Sequence, residues 1–213
     1  YKRLLFFMDN IFSKINFIVC QGMKDLDRFI KLGVNEKQIK RDFSFKFESL
    51  QLNQNPIFEK NHKMKDKKII ICASTHHPEE EILIQAFQKL NLENVIIILV
   101  PRHPDRAKAV YKKINDTGLS ISLFSEENHK LDYSKQVILV DKIGHLESLF
   151  SIADIAFIGG SLIPHGGQNF LEAVKFSLPI SSGQSVFNFQ EIAHDLLKHK
   201  ILKQGNSAEE LSN

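Results

Sequence analysis

The sequence is poor in the features that would place it quickly. It has two cysteines in 213 residues, which excludes the disulfide framework of a small secreted domain and suits a reducing cytoplasm. Cys20 and Cys72 each end an apolar run, FIVC and IIIC, and read as small buried strand residues rather than redox or metal groups. Charge of one sign is also scarce. Twenty-eight basic against 25 acidic side chains leave +3, and no basic stripe interleaved with aromatics is present, so nucleic acid is not an expected partner. No apolar run approaches the roughly 20 residues of a membrane helix, and none of these residues reads as a signal peptide. There is no G-x-x-x-x-G-K-[ST], which argues against a P-loop nucleotidase. No G-x-G-x-x-G follows the first core strand, which argues against a nicotinamide dehydrogenase. Nine histidines are present, but His76, His77, His103 and His165 lack the helical i, i+4 spacing and the neighbouring cysteines of known zinc sites, so no metal is expected.

What is present is a globular composition, 43% hydrophobic and 25% charged, long enough for one well-buried domain or one domain and part of another. Short β-rich runs alternate with helical patterns, which predicts a parallel sheet covered on both faces. Strands are expected at 68–73, 95–100, 119–124, 136–140 and 154–158, with a short apolar run at 178–180. Helices are expected at 78–90, 104–116, 145–152, near 169–176 and at 189–198. The first 45 residues read as a separate piece: a helix, a strand at 16–20, a helix at 23–32 stopped by Gly33, and a short run near 38–41. The segment between is polar and non-periodic. Residues 60–68 carry five lysines and read as a solvated linker, with contact to anionic lipid as the alternative. The expected division is therefore 1–47, a linker at 48–67, and a Rossmann-like domain at 68–213. The opening YKRLLFFMDNIF reads as mid-helix and the closing SAEELSN as a capped helix just beginning, so the chain reads as a piece of a longer protein.

In an open parallel sheet, ligands bind where loops leave the carboxyl ends of strands. Four such loops are polar in the same way. CASTHHPEEE places Ser74 and Thr75 before a helix; PRHPDR places Arg102 and His103 at a strand end; DKIGHL places Gly144 before the next helix. The longest, GGSLIPHGGQNFLEA, spans residues 159–173. Its four glycines allow positive φ and close approach to backbone. Its expected helix start near Asn169 offers amides to an anion. Glu172, i+3 from Asn169, is placed to accept two ribose hydroxyls.

These loops, with SIADIAFIGG, SLPI and GQSVFNFQE around the last of them, resemble in order and content the Kdo transferases of lipopolysaccharide synthesis. Those enzymes move 3-deoxy-D-manno-octulosonic acid (Kdo) from CMP-Kdo to a lipid A precursor. The resemblance runs from about residue 15 to 200. It implies a GT-B glycosyltransferase, with two Rossmann-like domains facing across a cleft, no metal or other cofactor, and the donor held mainly by the C-terminal domain. Carried over by position, the donor-site residues are Ser74, Thr75, Arg102, Gly144, Ser161, Gly166, Gly167, Asn169, Glu172 and Asn188. The sequence departs from the family pattern at Lys142, His145, Gln168 and Ala173, which leaves specific roles for 142, 145 and 168 open. The resemblance also implies that the acceptor site, the catalytic carboxylate and the inner-membrane anchor lie in a domain these residues do not include. On this reading the chain binds the donor nucleotide sugar, is soluble, and lacks catalysis by itself, while the full protein works at the cytoplasmic face of the inner membrane. A UDP-sugar transferase, a UDP-sugar 2-epimerase or a non-catalytic nucleotide-binding module are the alternatives. Residues 1–20, rich in phenylalanine and isoleucine, are expected to favour self-association.

Overall fold

A computed structural model of the chain describes residues 11–20, 22–41, 58, 66–90 and 93–212. The first ten residues and nearly all of the lysine-rich linker lie outside the described residues. The chain divides into two compact units, Tyr1–Gln51 and Leu52–Asn213.

In the first unit, β1 (Ile18–Cys20), α1 (Met23–Lys31), a 3-10 turn at Glu36–Gln38 and β2 (Ile39–Arg41) follow one another. β1 and β2 pair in parallel with Ile18 opposite Ile39. Gly33, at φ 91°, takes the left-handed conformation that ends the helix. Phe12, Cys20, Val34 and Ile39 form a small core flanked by Ile15, Leu26 and Phe29. Part of the apolar surface of the 1–20 segment is thereby buried within its own unit. Phe12 is buried, edge-on against Phe29 at 6.1 Å, because the parallel strand pair and one helix close over it. Ile11 and Phe17 remain 41% and 53% exposed.

The second unit is built on seven strands: β3 (Lys68–Thr75), β4 (Val95–Pro101), β5 (Ile121–Leu123), β6 (Val137–Leu139), β7 (Ile155–Ile158), β8 (Ile180–Ser182) and β9 (Leu202–Gln204). Their order across the sheet is β5-β6-β4-β3-β7-β8-β9, with every pair parallel. Residues alternate between faces as the strand period requires. Ile69, Ile71, Ile96, Ile98 and Ile138 face one core, closed by α4 (Leu146–Phe150), α5 (Leu171–Lys175) and α6 (Gln190–Lys198). Cys72, Ile97, Leu99, Val137 and Leu139 face the other, closed by α2 (Glu79–Leu90) and α3 (Ala107–Asn115). A last short helix, α7 (Ala208–Leu211), starts from Ser207, whose hydroxyl accepts the Glu210 amide, and contributes Leu211 to that second core. The chain is thus the α/β, doubly covered parallel sheet expected from the alternating pattern. Both cysteines are buried, and burial pushes the Cys72 thiol far above its ordinary pKa.

Three differences from the sequence reading have local causes. The helix expected at 104–116 begins as a 3-10 turn, Pro104–Arg106, before continuing as α3. The helix expected near 169–176 is only five residues long. β9 was not expected; it is a three-residue edge strand with only Leu202 buried, too short for a period-2 pattern to register.

Candidate functional site

The chain runs from β3 to one side of the sheet and later returns to β7 on the other, so the β3/β7 boundary is the topological switch point. There the two strands press together. The Gly159 amide donates to the Ala73 carbonyl at 2.8 Å. A Cβ on Gly159 would lie 2.5 Å from the Ser74 carbonyl oxygen and 2.7 Å from Thr75 Cα, so only glycine fits. Ser74 itself sits at φ 54°, where β3 shifts register between Ala73 and Thr75. That is the strained kind of position found at ligand clamps.

The group that organises this junction was missed in the sequence. Glu79, in the first turn of α2, is fully buried. Its Oε2 accepts the amides of His76 at 2.8 Å and Gly160 at 2.7 Å. Its Oε1 accepts those of Ser161 and Leu162, both at 2.9 Å. Four charge-assisted bonds satisfy the carboxylate and lock the loop after β3 to the Gly-rich loop after β7. The only sequence signal was the run of three acids after Pro78, which equally describes an ordinary helix start.

The next acid acts on the other side of α2. Glu80, also buried, accepts the Thr75 hydroxyl at 3.1 Å and both guanidinium nitrogens of Arg106, at 3.0 and 3.2 Å. Thr75 is 0% exposed, so its hydroxyl braces α2 instead of meeting solvent. A cavity of about 520 Å³ lies between α2 and α3, with Glu80, Glu81, Arg106 and Lys113 on its wall. On that wall Arg106 pairs with Glu80 and Lys113 with Glu81, and most of the lining comes from α2 and α3, with His77 added from the β3 loop.

Other expected residues divide in the same manner. Ser161 is 1% exposed; its hydroxyl donates to the Ile158 carbonyl at 2.5 Å and accepts the Gly183 amide at 2.8 Å, binding the β7 loop to the β8 loop. Asn188 donates to the His165 carbonyl at 3.0 Å and its amide to the Gly166 carbonyl, so it holds the Gly-rich loop. Gly166 and Gly167 both have positive φ, 93° and 78°, and their amides are used internally, on Ser185 Oγ and the Gly160 carbonyl. The helix start expected near Asn169 to offer amides to an anion is thereby limited: the amides of Gly166 and Gly167 already have acceptors, and a five-residue helix has little dipole. Within residues 166–171, the amides of Gly166, Gly167 and Leu171 have acceptors in the chain, and those of Gln168, Asn169 and Phe170 do not.

Beside those amides lies a charged group. Asn169 accepts the Leu171 amide at 3.1 Å and donates to Glu172 at 3.3 Å. Burial raises the Glu172 pKa; the Asn169 bond opposes this, Glu147 adds to it, and Arg102 and Lys175 oppose it. Lys175 pairs with Glu147. Arg102, exposed after β4, makes no ion pair among the described residues, and its amide donates to the Thr75 carbonyl at 2.9 Å. Gly144, at φ 95°, is exposed in the β6 loop. Next to it His145 packs against Phe124, rings 5.0 Å apart, while Lys142 is exposed. Ser74, Arg102, Gly144, Gly166, Asn169, Glu172 and Asn188 therefore all lie along the carboxyl edge of one sheet. No three His, Cys, Asp or Glu side chains among the described residues are placed to hold a metal.

Known proteins share both the sequence and this geometry. Over 99% of its length the chain is 34% identical to a bifunctional glycosyltransferase/methyltransferase of Fusobacterium nucleatum, covering 33% of that protein. It is 33% identical to the 3-deoxy-D-manno-octulosonic acid transferase of Rickettsia bellii over 100% of this chain and 51% of that one. The crystal structure of the C-terminal CMP-Kdo binding domain of WaaA from Acinetobacter baumannii superposes with a TM-score of 0.64 at 29% identity, over 79% of this chain and 85% of that domain. The chain is a homologue of the Kdo transferases. Its sheet is a GT-B glycosyltransferase domain, and it spans about half the length of the Kdo transferase it matches. No family model matches the sequence. No described helix is long and apolar enough to cross a membrane.

Proposed function

We propose that this chain is the donor-binding part of a Kdo transferase and holds CMP-Kdo along the carboxyl edge of its seven-stranded sheet. The observation that carries this reading is the match to a CMP-Kdo binding domain over 85% of that domain's length. Arg102 and the acceptor-free amides of Gln168, Asn169 and Phe170 take the phosphate, and Glu172 takes the ribose hydroxyls. As the bond from the sugar to the phosphate breaks, negative charge gathers on CMP. A guanidinium and fixed amides in a partly desolvated site stabilise it without reorganising, and without a metal. A base in the remainder of the full enzyme deprotonates the acceptor hydroxyl, on a lipid A precursor at the cytoplasmic face of the inner membrane, and the sugar carbon inverts.

The test is calorimetry of the chain with CMP, UDP and GDP in the presence of EDTA. CMP binds most tightly and EDTA has no effect. A preference for UDP moves the chain to another sugar-nucleotide specificity on the same fold.

A further inference from the structure

Three imidazoles from three different loops converge above Glu79. His76 follows β3, His103 follows β4, and His165 belongs to the Gly-rich loop. The His76 ring lies 4.4 Å from that of His165 and 5.8 Å from that of His103. His76 is 8% exposed and its Nδ1 has no hydrogen-bond partner; that atom lies 3.8 Å from Glu79 Oε2. The sequence gives no reason for these residues to meet, and nothing in the phosphate and ribose assignments uses them.

The position of Glu79 explains what such a cluster is for. Consecutive amides at a switch point form a concave nest that ordinarily receives an anion. Here the nest of His76, Gly160, Ser161 and Leu162 is filled by the chain's own carboxylate. An anion of the ligand must therefore sit one layer further out, and the layer above Glu79 is the three imidazoles. Burial lowers the His76 pKa, with His165 adding to this, Glu79 opposing it, and His103 adding to it. Burial first, and the neighbouring rings second, thus disfavour a charge on His76. An oxyanion seated among the rings accepts their N–H groups and favours protonation, with Glu79 beneath to share the positive charge.

We propose that His76, His103 and His165 form the subsite for the sugar carboxylate of the donor, filled with uptake of a proton. The proposal rests on the reading of the donor as CMP-Kdo. In that molecule the carboxylate and the phosphate oxygen are substituents of one carbon, so its binding site needs two adjoining anion subsites. Arg102, next to His103, and the amides of residues 168–170, on the same loop as His165, supply the first; the imidazoles supply the second. The sign of the pH dependence follows. An anion beside His76 raises its lowered pKa, so affinity increases as pH falls through the window above the free protein's depressed value.

The experiment measures affinity of the whole chain for CMP, CMP-Kdo and the methyl ester of CMP-Kdo between pH 6 and 8, with proton uptake read from calorimetry in buffers of different ionisation enthalpy. The variants are His103→Asn and His165→Asn, both at exposed positions. Wild type binds CMP-Kdo more tightly at pH 6 than at pH 8 and takes up a proton; the ester shows neither effect, and CMP, whose phosphate monoester itself titrates near about pH 6, binds more weakly rather than more tightly as pH falls. Each variant loses about tenfold in CMP-Kdo affinity, the size of one charged hydrogen bond, and binds CMP as before. Equal losses for CMP and CMP-Kdo assign the cluster to the phosphate and overturn the carboxylate subsite. Unchanged CMP-Kdo binding in both variants overturns the subsite altogether. Tight binding of UDP and none of CMP overturns the donor reading itself, which the other outcomes leave standing.

Discussion

At the scale of single residues, Glu79 and Glu172 show two uses of a carboxylate in the same site. Glu79 is satisfied by four amides and serves assembly. Glu79→Gln keeps the shape but turns an NH2 group towards two of those amides. Each N–H left without an acceptor costs about 1–3 kcal/mol, so denaturant unfolding shifts to markedly lower concentration and CMP affinity falls with it. Glu172 behaves in the opposite sense. Its raised pKa means that folding penalises its ionised form; the penalty is absent below the ordinary carboxylate pKa and complete above the raised one. Glu172→Gln is therefore more stable than wild type at neutral pH, with the difference fading in acid, yet it binds CMP about 1–3 kcal/mol more weakly because a ribose hydroxyl loses its acceptor. The wild-type affinity falls in acid through the raised pKa, and that limb is missing from the variant. Melting curves and CMP titrations from pH 4 to 8 measure both. Arg102→Ala separates phosphate from base: CMP binding weakens roughly ten- to a hundred-fold, while cytidine binds both proteins alike. Equal losses for the two ligands would mean that Arg102 supports the fold instead.

At the scale of elements, the junction of β3 and β7 is the point on which the site depends. Gly159 lets the two strand ends touch, Glu79 ties their loops, and Ser161 extends the tie to β8. Gly159→Ala drives a methyl group into the Ser74 carbonyl and the Thr75 backbone, neither of which is the free end of a side chain. Overpacking of this kind costs about 1–3 kcal/mol, and CMP binding is lost along with the loop geometry. Gly118→Ala is the control, since nothing lies within 4 Å of a Cβ there. Its φ of 84° makes it strained as well, but it is far from the strand-end loops in sequence and its CMP affinity stays that of wild type. A methyl at Gly159 that leaves CMP binding unchanged would show that the β3–β7 contact does not position the donor loops.

At the scale of the molecule, the first unit keeps apolar side chains at its surface: Ile11, Phe17, Val19, Met23 and Ile30 are each at least 40% exposed. We expect the chain to self-associate through them, and sedimentation of the whole chain against a version beginning at residue 52 measures this; two monomers at equal concentration would remove the expectation. The β/α alternation, the two-faced sheet and the polar loops at its carboxyl edge were legible because strand and helix periods are local and repeat over several residues. A short run as rich in β-branched residues as VIIILV favours a strand buried on both faces. The division of labour within the loops was not legible. Glu79 reaches Gly160 across 81 positions of chain, and no periodicity records a hydrogen bond between loops that meet only when the sheet closes. For the same reason Thr75 and Ser161 read as ligand groups, although the fold uses their hydroxyls internally, and three histidines far apart in sequence gave no sign of meeting. The sequence by itself determined the scaffold and the set of polar residues at its edge. The tertiary structure decided which amides the chain keeps for its own carboxylate and which remain for a ligand, because a hydrogen-bond donor can be assigned only once every competing acceptor has a place.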